Sequence, residues 1–267
     1  MSAQSHRSDP AILNRRTLAR DHRRLAEILR VGMSVLDIGC GTGAITAGIA
    51  RAVAGGEVVG LDRDVDNLAV TREQYADAPN LRFESGDVLS LGYRAQFDVV
   101  NAARTLQWVA DPALAIEKMK LAAKPGGCVI ALDYNHENNR WEPSVPPEFA
   151  RFYRAFLDWR AANGWDNRMA DHLPDLFRAA GLDAIQVHVS DEIARRGAPD
   201  FADSAGIWTC VARTIGPSMA AGGFITEQEF LTAEAAYRDW VARGLGTHTL
   251  FMRTAEGIVP SGEISVT

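Results

Sequence analysis

The sequence predicts an α/β protein built on a doubly wound parallel sheet. Short apolar runs and amphipathic segments alternate through the first 135 residues, and a glycine-rich turn at residues 39–43 follows the first apolar run. Apolar runs of this length between helical segments are typical of buried parallel strands. Because parallel strands need crossover connections, the alternation places helices on both faces of the sheet.

Size and charge narrow the class of protein. The chain has 267 residues, of which 47% are hydrophobic and 23% charged, and its net charge is −6. Such a chain can bury a sizeable core as one large domain or two small ones. Because nucleic-acid backbones and anionic membranes attract clustered Lys and Arg, the acidic balance argues against both as partners. A homodimer is left open.

The expected location is cytoplasmic. The first ten residues, MSAQSHRSDP, lack the apolar stretch of a secretory signal, and no apolar segment is long enough to cross a bilayer. The three cysteines, Cys40, Cys128 and Cys210, lie far apart and form no C-x-x-C pair. This spacing argues against a disulfide framework or a structural zinc site and fits a reducing compartment.

The elements of the first half follow from the same alternation. Residues 11–30 space their apolar side chains at helical intervals, with arginines between them, which predicts an amphipathic helix or helix pair. The helix before the fifth strand stops at Lys124-Pro125-Gly126-Gly127, a sequence that does not continue a helix. Strands are predicted at 34–38, 57–61, 81–84, 97–101 and 128–133, and helices at 44–53, 65–76 and 111–123.

After Tyr134 the alternation loosens. Residues 136–147 carry Asn, Pro and Trp and are predicted as a loop. Residues 200–243 are predicted as two or three helices, broken at Gly216-Pro217 and Gly222-Gly223. Further helices are predicted at 148–162 and 171–180, and strands at 185–189 and 247–254.

The glycine-rich turn joins the first strand to the helix that follows it. Glycines there let a ligand approach the backbone, and the helix N-terminus offers free N–H donors. Gly39, Gly41 and Ala44 also satisfy the G-x-G-x-x-A form of a dinucleotide fingerprint. Asp37, however, would repel a pyrophosphate. A carboxylate suits a ligand with an ammonium group beside a cationic sulfur, and that ligand is S-adenosylmethionine.

Motifs in chain order resemble those of class I S-adenosylmethionine-dependent methyltransferases. The first is VLDIGCGTG at residues 35–43, which contains Asp37 and the glycine turn. The resemblance extends over residues 33–133, and it is therefore specific for the first half of the chain. The remaining motifs are Asp62 at the end of the second strand, Gly86-Asp87-Val88 after the third, FDVVN at 97–101, LQWVADP at 106–112 and KPGG at 124–127.

The resemblance implies a role for the end of each strand. It implies that Asp62 accepts hydrogen bonds from both ribose hydroxyls, and that Asp87 accepts one from the adenine amino group. It also implies that the backbone N–H of Val88 reaches a ring nitrogen and that the strand ending at Asn101 lies against the methionine moiety. The implied cofactor-binding residues are Asp37, Gly39, Gly41, Gly43, Asp62, Arg63, Asp87, Val88 and Asn101.

The resemblance also implies an architecture and an activity. The expected fold is a Rossmann-like sheet of seven strands, the last antiparallel, with helical lid insertions as in small-molecule methyltransferases of the ubiquinone-biosynthesis type. The expected reaction moves the methyl group of S-adenosylmethionine to an O, N or C nucleophile of a small molecule. The predicted parts are an N-terminal helical extension at 1–32, a cofactor-binding core at 33–135, and the remainder of the sheet at 136–267 with lid insertions at 136–180 and 200–243.

Residues just past the fourth and fifth strands are expected to face the acceptor. Trp108, Tyr134 and Asn135 are the candidate substrate residues. His136 is the candidate general base, because imidazole titrates near neutrality, while a loop histidine bonded to backbone is the structural alternative. No metal is expected, since Asp133, Asn135 and His136 follow one strand and alternate residues point to opposite faces.

Two other classes of function are left open. One is a non-catalytic S-adenosylmethionine-binding or regulatory protein, because motifs demonstrate binding better than turnover. The other, less favoured because of Asp37, is an NAD(P)-dependent oxidoreductase on the same kind of sheet. The identity of the acceptor has no signature in the sequence.

Overall fold

A computed structural model describes residues 10–261. The polar residues 1–9 and the last residues of the third predicted part, 262–267, lie outside the described residues. The strands are β1 (Val35–Ile38), β2 (Val58–Asp62), β3 (Leu81–Ser85), β4 (Phe97–Ala103), β5 (Ala123–Tyr134), β6 (Arg140–Glu142), β7 (Asp183–Val189), β8 (Glu192–Arg195), β9 (Thr247–Leu250) and β10 (Met252–Ile258). The α-helices are α1 (Pro10–Leu13), α2 (Leu18–Asp21), α3 (Arg23–Ile28), α4 (Ala44–Ala52), α5 (Val65–Gln74), α6 (Pro112–Ala122), α7 (Pro147–Ala162), α8 (Met169–Ala179), α9 (Phe201–Ala205), α10 (Ile207–Ala221) and α11 (Glu227–Arg243).

Seven strands form the larger sheet, in the order β3-β2-β1-β4-β5-β10-β7. β1 pairs in parallel with β2 and β4, β3 continues the parallel pairing beside β2, and β5 does so beside β4. β10 pairs antiparallel with β7. The predicted fold class, a doubly wound sheet of seven strands with an antiparallel last strand, is confirmed.

β1 lies inside the sheet between β2 and β4, and its four side chains are all buried. Its register places Asp37 beside Gly60 of β2 and Asn101 of β4. Parallel strands end at the same edge of a sheet, and ligands bind beyond that edge where the strand order reverses. The register therefore gathers Asp37, Asp62 and Asn101 at the edge where a ligand is expected.

The chain divides into two compact units, each described by itself. The sheet unit comprises residues 13–133, 169–190 and 253–261, and the aromatic unit comprises 10–12, 134–168 and 191–252. Helices α2 to α6 and α8 belong to the sheet unit. The domain boundaries predicted from the sequence stay a prediction.

The aromatic unit is built on a second sheet that sequence reasoning missed. Its three strands pair antiparallel in the order β6-β9-β8. Trp141 on β6 stacks on His248 of β9, with ring centroids 5.0 Å apart and an interplanar angle of 6°. Trp208 of α10 donates from its indole N–H to His248 Nε2 at 3.3 Å. Further rings of this cluster are Phe149, Tyr153 and Phe156 of α7 and Tyr237 of α11.

Two predictions about the second half are wrong at their boundaries. The predicted strand at 247–254 is two strands, because Phe251 leaves the ladder and donates its N–H to Asn139 Oδ1 at 2.9 Å. The chain thereby passes from the smaller sheet to the larger one. The predicted loop at 136–147 contains β6, and β8 was not predicted at all.

Gly216-Pro217 does not break a helix, contrary to the prediction. Both residues lie inside α10. A Cβ on Gly216 would lie 2.7 Å from the ring of Phe230 on α11, so the glycine is required by close helix packing. Pro217 lies within the same helix, although a proline in a helix interior costs about 3 kcal/mol.

Candidate cofactor site

The turn between β1 and α4 adopts a backbone that only glycine adopts readily. Gly39, Gly41 and Gly43 have φ values of 72°, 54° and 73°. A Cβ on Gly39 would overlap the side chain of Thr105, and one on Gly43 would lie 2.7 Å from the ring of Phe83. Positive φ is costly for residues with a Cβ. The sequence pattern of this turn is therefore set by backbone geometry and close packing.

Asp37 is the third of the four residues of β1, just before that turn, and is almost completely buried, with 4% of its surface exposed. Its carboxylate accepts from Thr46 Oγ1 at 2.6 Å and from Asn101 Nδ2 at 2.7 Å. Burial raises the pKa of Asp37 to about 6, and the two hydrogen bonds oppose that rise. An anion held at this position complements a ligand that carries an ammonium group.

Asp62, at the end of β2, is tied to the glycine turn. Its Oδ2 accepts from the backbone N–H of Gly41 at 2.8 Å, and its Oδ1 accepts from that of Asp64 at 2.9 Å. The helix-cap role belongs to Asp64, whose side chain accepts from the first turn of α5. Asp62 is thus a carboxylate at the turn that does not cap the helix.

The end of β3 offers an exposed carboxylate. Asp87 is exposed and accepts from the N–H of Leu89 at 2.9 Å, which begins a short 3-10 turn. Val88 is buried within that turn. Gly86 donates its N–H to the carbonyl of Asp62 at 3.0 Å, so the ends of β2 and β3 are joined. Arg63, the next residue along β2, is exposed.

Asn101 has no exposed surface. Its Nδ2 donates to Asp37, and its Oδ1 lies 2.7 Å from Nε2 of His22, between α2 and α3. In this structure Asn101 therefore contacts the carboxylate of Asp37. Sequence reasoning missed His22, because its position in an arginine-rich helical segment gives no sign of a partner 79 residues away.

Two buried side chains and one half-buried side chain follow β4. Arg104 adopts φ 59°, is 6% exposed, and donates from its guanidinium to the carbonyl of Asp21 at 3.0 Å. Gln107 donates its backbone N–H to Asp133 Oδ2 at 3.0 Å. Trp108 is half-buried in a 3-10 turn that begins one residue after Thr105.

Tyr134, Asn135 and His136 lie in the aromatic unit. His136 is 5% exposed, stacks on Tyr134 at 5.0 Å, and donates its backbone N–H to the carbonyl of Asn167. Burial, and next the charge of Arg160, hold the pKa of His136 well below its ordinary value. A depressed pKa makes imidazole a weaker base. The role of His136 as general base stays a prediction.

The residues of the sheet unit fit S-adenosylmethionine. The hydroxyl of Thr42, in the glycine turn, is buried and has no hydrogen-bond partner among the described residues. The positive-φ glycines leave a cradle of backbone without side chains, Asp37 suits an ammonium, and Asp62 suits hydroxyl donors. Within residues 10–261, no group of three metal-ligating side chains is gathered.

Comparisons with known proteins agree with this fit. The methyltransferase domain family matches residues 29–166. The chain is 28% identical over 172 residues to a demethylmenaquinone methyltransferase of Staphylococcus haemolyticus, covering 60% of this chain and 72% of that protein. It is 32% identical over 133 residues to a trans-aconitate 2-methyltransferase of Deinococcus radiodurans, covering 49% of this chain and 50% of that protein. The chain thus spans only about half the length of the Deinococcus relative.

A solved structure shares the fold. Phosphoethanolamine N-methyltransferase 2 of Haemonchus contortus, in complex with phosphomonomethylethanolamine and S-adenosylhomocysteine, superposes with a TM-score of 0.57 at 16% identity. The match covers 91% of this chain and 52% of that one. The comparisons give no support to an oxidoreductase or to a non-catalytic protein. Because the family match spans more than half of the chain, the chain belongs to the methyltransferase domain family and is an S-adenosylmethionine-dependent methyltransferase.

Proposed function

We propose that this chain binds S-adenosylmethionine along the carboxyl ends of β1, β2 and β3 and transfers its methyl group to a small molecule. The observation that carries the proposal is the buried carboxylate of Asp37, which two hydrogen bonds hold beside a glycine turn. A carboxylate that retains its charge in a buried place needs a cationic partner or strong hydrogen bonds. An amino-acid ammonium is such a partner.

Each strand end has a proposed task. Asp37 and the glycine turn hold the amino-acid end, Asp62 accepts from the ribose hydroxyls, and Asp87 with the N–H of Val88 reads the adenine. The cofactor, when bound, supplies a methyl group already activated by its sulfonium. The protein therefore has to align the acceptor and exclude water, and such alignment can lower a barrier by roughly 7–11 kcal/mol.

The acceptor is proposed to be a small apolar or aromatic molecule. The relatives named above are a quinone-precursor methyltransferase and an acid methyltransferase, so they leave both classes open. We place the quinone-precursor class first, because the match covers 72% of the Staphylococcus protein and only 50% of the Deinococcus protein. Trp108, Tyr134 and Asn135 remain the proposed acceptor residues.

A turnover assay tests this function. Purified protein with S-adenosylmethionine is offered a naphthoquinol, trans-aconitate and sarcosine in parallel, and S-adenosylhomocysteine is measured by mass spectrometry. We expect product with the naphthoquinol above the background of the Asp37→Asn variant. Product with trans-aconitate alone would replace the aromatic class by a carboxylate acceptor. Failure of the cofactor to bind would reject the proposed site.

Partners and location stay predictions from the sequence. In residues 10–261, no helix is both long and apolar enough to cross a membrane. The cytoplasmic location, the homodimer and the absence of nucleic-acid and membrane partners are proposed on composition and charge alone. Analytical ultracentrifugation of the purified chain measures the oligomeric state directly.

A further inference from the structure

A hydrogen-bond chain runs from the N-terminal helices to the end of β1. His22 ends α2 and precedes α3, and it is completely enclosed, with 1% of its surface exposed. Its Nε2 contacts Asn101, Asn101 contacts Asp37, and Asp37 accepts from Thr46. The three contacts measure 2.7, 2.7 and 2.6 Å. All four residues lie in the sheet unit.

The order of groups in this hydrogen-bond chain fixes which atom donates at each contact. Asp37 is an acceptor when ionised, so the amide nitrogen of Asn101 must face it, and the amide oxygen must face His22. His22 then has to donate from Nε2–H, which leaves Nδ1 as an acceptor. Nδ1 is buried and has no partner among the described residues. An unsatisfied buried acceptor costs free energy, and a native protein that retains one needs a reason for it.

We propose that His22 is a positioning residue for the cofactor: its Nε2–H holds the Asn101 amide in the one orientation that donates to Asp37. The proposal rests on the cofactor site assigned above. If His22 cannot donate, the amide is free to turn its oxygen towards the carboxylate. This rotation of the Asn101 amide would replace its hydrogen bond to Asp37 by a repulsion between two oxygens, and it would favour the protonated form of Asp37.

The surroundings decide the direction of the pH effect. Burial lowers the pKa of His22 to about 3, so the ring is neutral near pH 7, as a single-donor role requires. Asp62 raises the pKa of Asp37, whereas the Asn101 amide lowers it. Losing the amide donor therefore moves protonation of Asp37 to higher pH. The titratable or charged groups facing the hydrogen-bond chain are Asp62 of β2, Cys40 of the glycine turn and Arg104 after β4.

Two polar substitutions of His22, whose side chains differ in length, test the proposal. The amide nitrogen of glutamine can replace Nε2, whereas asparagine is too short to reach Asn101. Binding of S-adenosylhomocysteine is measured by calorimetry between pH 5.5 and 8.5. We expect His22→Gln to bind nearly as the wild type does, and His22→Asn to bind roughly ten- to hundredfold more weakly. The acid limb of the His22→Asn profile should also shift to higher pH.

A control separates positioning from general destabilisation. Leu25 lies on α3, is completely buried and takes no part in the hydrogen-bond chain. Leu25→Ala should lower the melting temperature while keeping the affinity and the pH profile of the wild type. Asn101→Leu should weaken binding as His22→Asn does, and the double variant should be no weaker than Asn101→Leu alone.

The outcomes distinguish this proposal from the proposed function. If the wild type binds no S-adenosylhomocysteine, the cofactor site itself is wrong. If the wild type binds and His22→Gln and His22→Asn bind equally, or Leu25→Ala shifts the pH profile in the same way, the positioning role is wrong. Nitrogen-15 NMR of the unmodified protein decides the case even if variants fail to fold. The Nε2–H tautomer is expected at pH 7, and an Nδ1–H tautomer would overturn the proposal.

Discussion

The two compact units differ in the kind of side chain that forms the core of each. The core of the sheet unit is mainly aliphatic, with residues such as Val100, Ile116 and Met119 completely buried. The core of the aromatic unit is a set of rings in edge and stacked contacts, centred on Trp208. β-branched and small aliphatic residues pack well on a parallel sheet that is covered on both faces, whereas a small antiparallel sheet with helices leaves room for large rings.

The buried polar groups of the two units differ as well. In the sheet unit, Asp37, Asn101 and His22 form one continuous chain that ends at the predicted cofactor site. In the aromatic unit, Arg160 bonds to Asn167 on its own unit, and His248 accepts from Trp208. The sheet unit thus contains a connected set of buried polar groups that ends at the proposed cofactor site, whereas the polar groups named in the aromatic unit join its helices and strands. The stability of the aromatic unit should therefore depend on a few large rings. Cofactor binding by the sheet unit should depend on a few small polar groups.

The largest effect is expected from Trp208→Ala. Removing a buried indole should lower the free energy of unfolding by about 3–5 kcal/mol. Val100→Ala in the sheet unit removes two methylene equivalents and should cost only about 1.5–2 kcal/mol. Urea unfolding followed by fluorescence and circular dichroism measures both. Equal costs would contradict the claim that the aromatic unit depends on few large side chains.

Asp37→Asn should have nearly as large an effect, in the opposite direction. Because burial raises the pKa of Asp37 to about 6, folding disfavours its charge, and the carboxylate destabilises the wild type above that pH. The variant should gain up to about 3 kcal/mol at pH 7.5, and the gain should shrink as the pH falls through 6 towards 4. Calorimetric binding of S-adenosylhomocysteine should fall steeply at the same time. A variant that is less stable at pH 7.5 would contradict the assignment of a strained, functional carboxylate.

How far the sequence predicted these features differs between the units. The larger sheet was predicted strand by strand, because each strand is a local apolar run and the turn at Gly39 is local as well. Asp37 and Asp62 could be assigned for the same reason: each directly follows or ends such a run. Each motif of the sheet is a short contiguous stretch at the end of one strand, and the parallel register brings these stretches to the same edge.

The aromatic unit and His22 could not be predicted, because their contacts join distant segments. Trp141 stacks on His248, and His22 reaches Asn101, across 107 and 79 residues respectively, and no local period marks either pair. The switch of sheets at Phe251 was hidden for the same reason, since 247–254 is one continuous strand-like run. The predicted helix break at Gly216-Pro217 was wrong because the glycine is required for close packing of α10 on α11.

Asp62→Ala should affect binding more than stability. Losing charge-assisted hydrogen bonds to the ribose should weaken cofactor binding by about 1.5–3 kcal/mol. Some stability is lost too, because Asp62 accepts from the N–H groups of Gly41 and Asp64. Asp64→Ala is the matched control: it removes the cap of α5, should cost about 1 kcal/mol of stability, and should leave affinity unchanged. Equal affinities for the two variants would show that Asp62 holds the turn only.

The smallest effect is expected from Gly41→Ala, and it distinguishes backbone strain from ligand approach. Gly41 and Gly55 both adopt positive φ, 54° and 83°, so alanine at either position should cost about 1–2 kcal/mol of stability. A Cβ at Gly55 meets nothing within 4 Å, and one at Gly41 meets only the flexible end of Leu13 at 3.0 Å, so neither variant should unfold the protein. Only Gly41 lies in the turn that the cofactor is proposed to approach. Thermal unfolding should therefore show similar losses for the two variants, while calorimetry should show weakened S-adenosylhomocysteine binding for Gly41→Ala alone. Unchanged affinity in Gly41→Ala would mean that the ligand does not approach the backbone at this turn, and the glycines would then be explained by the fold of the sheet unit alone.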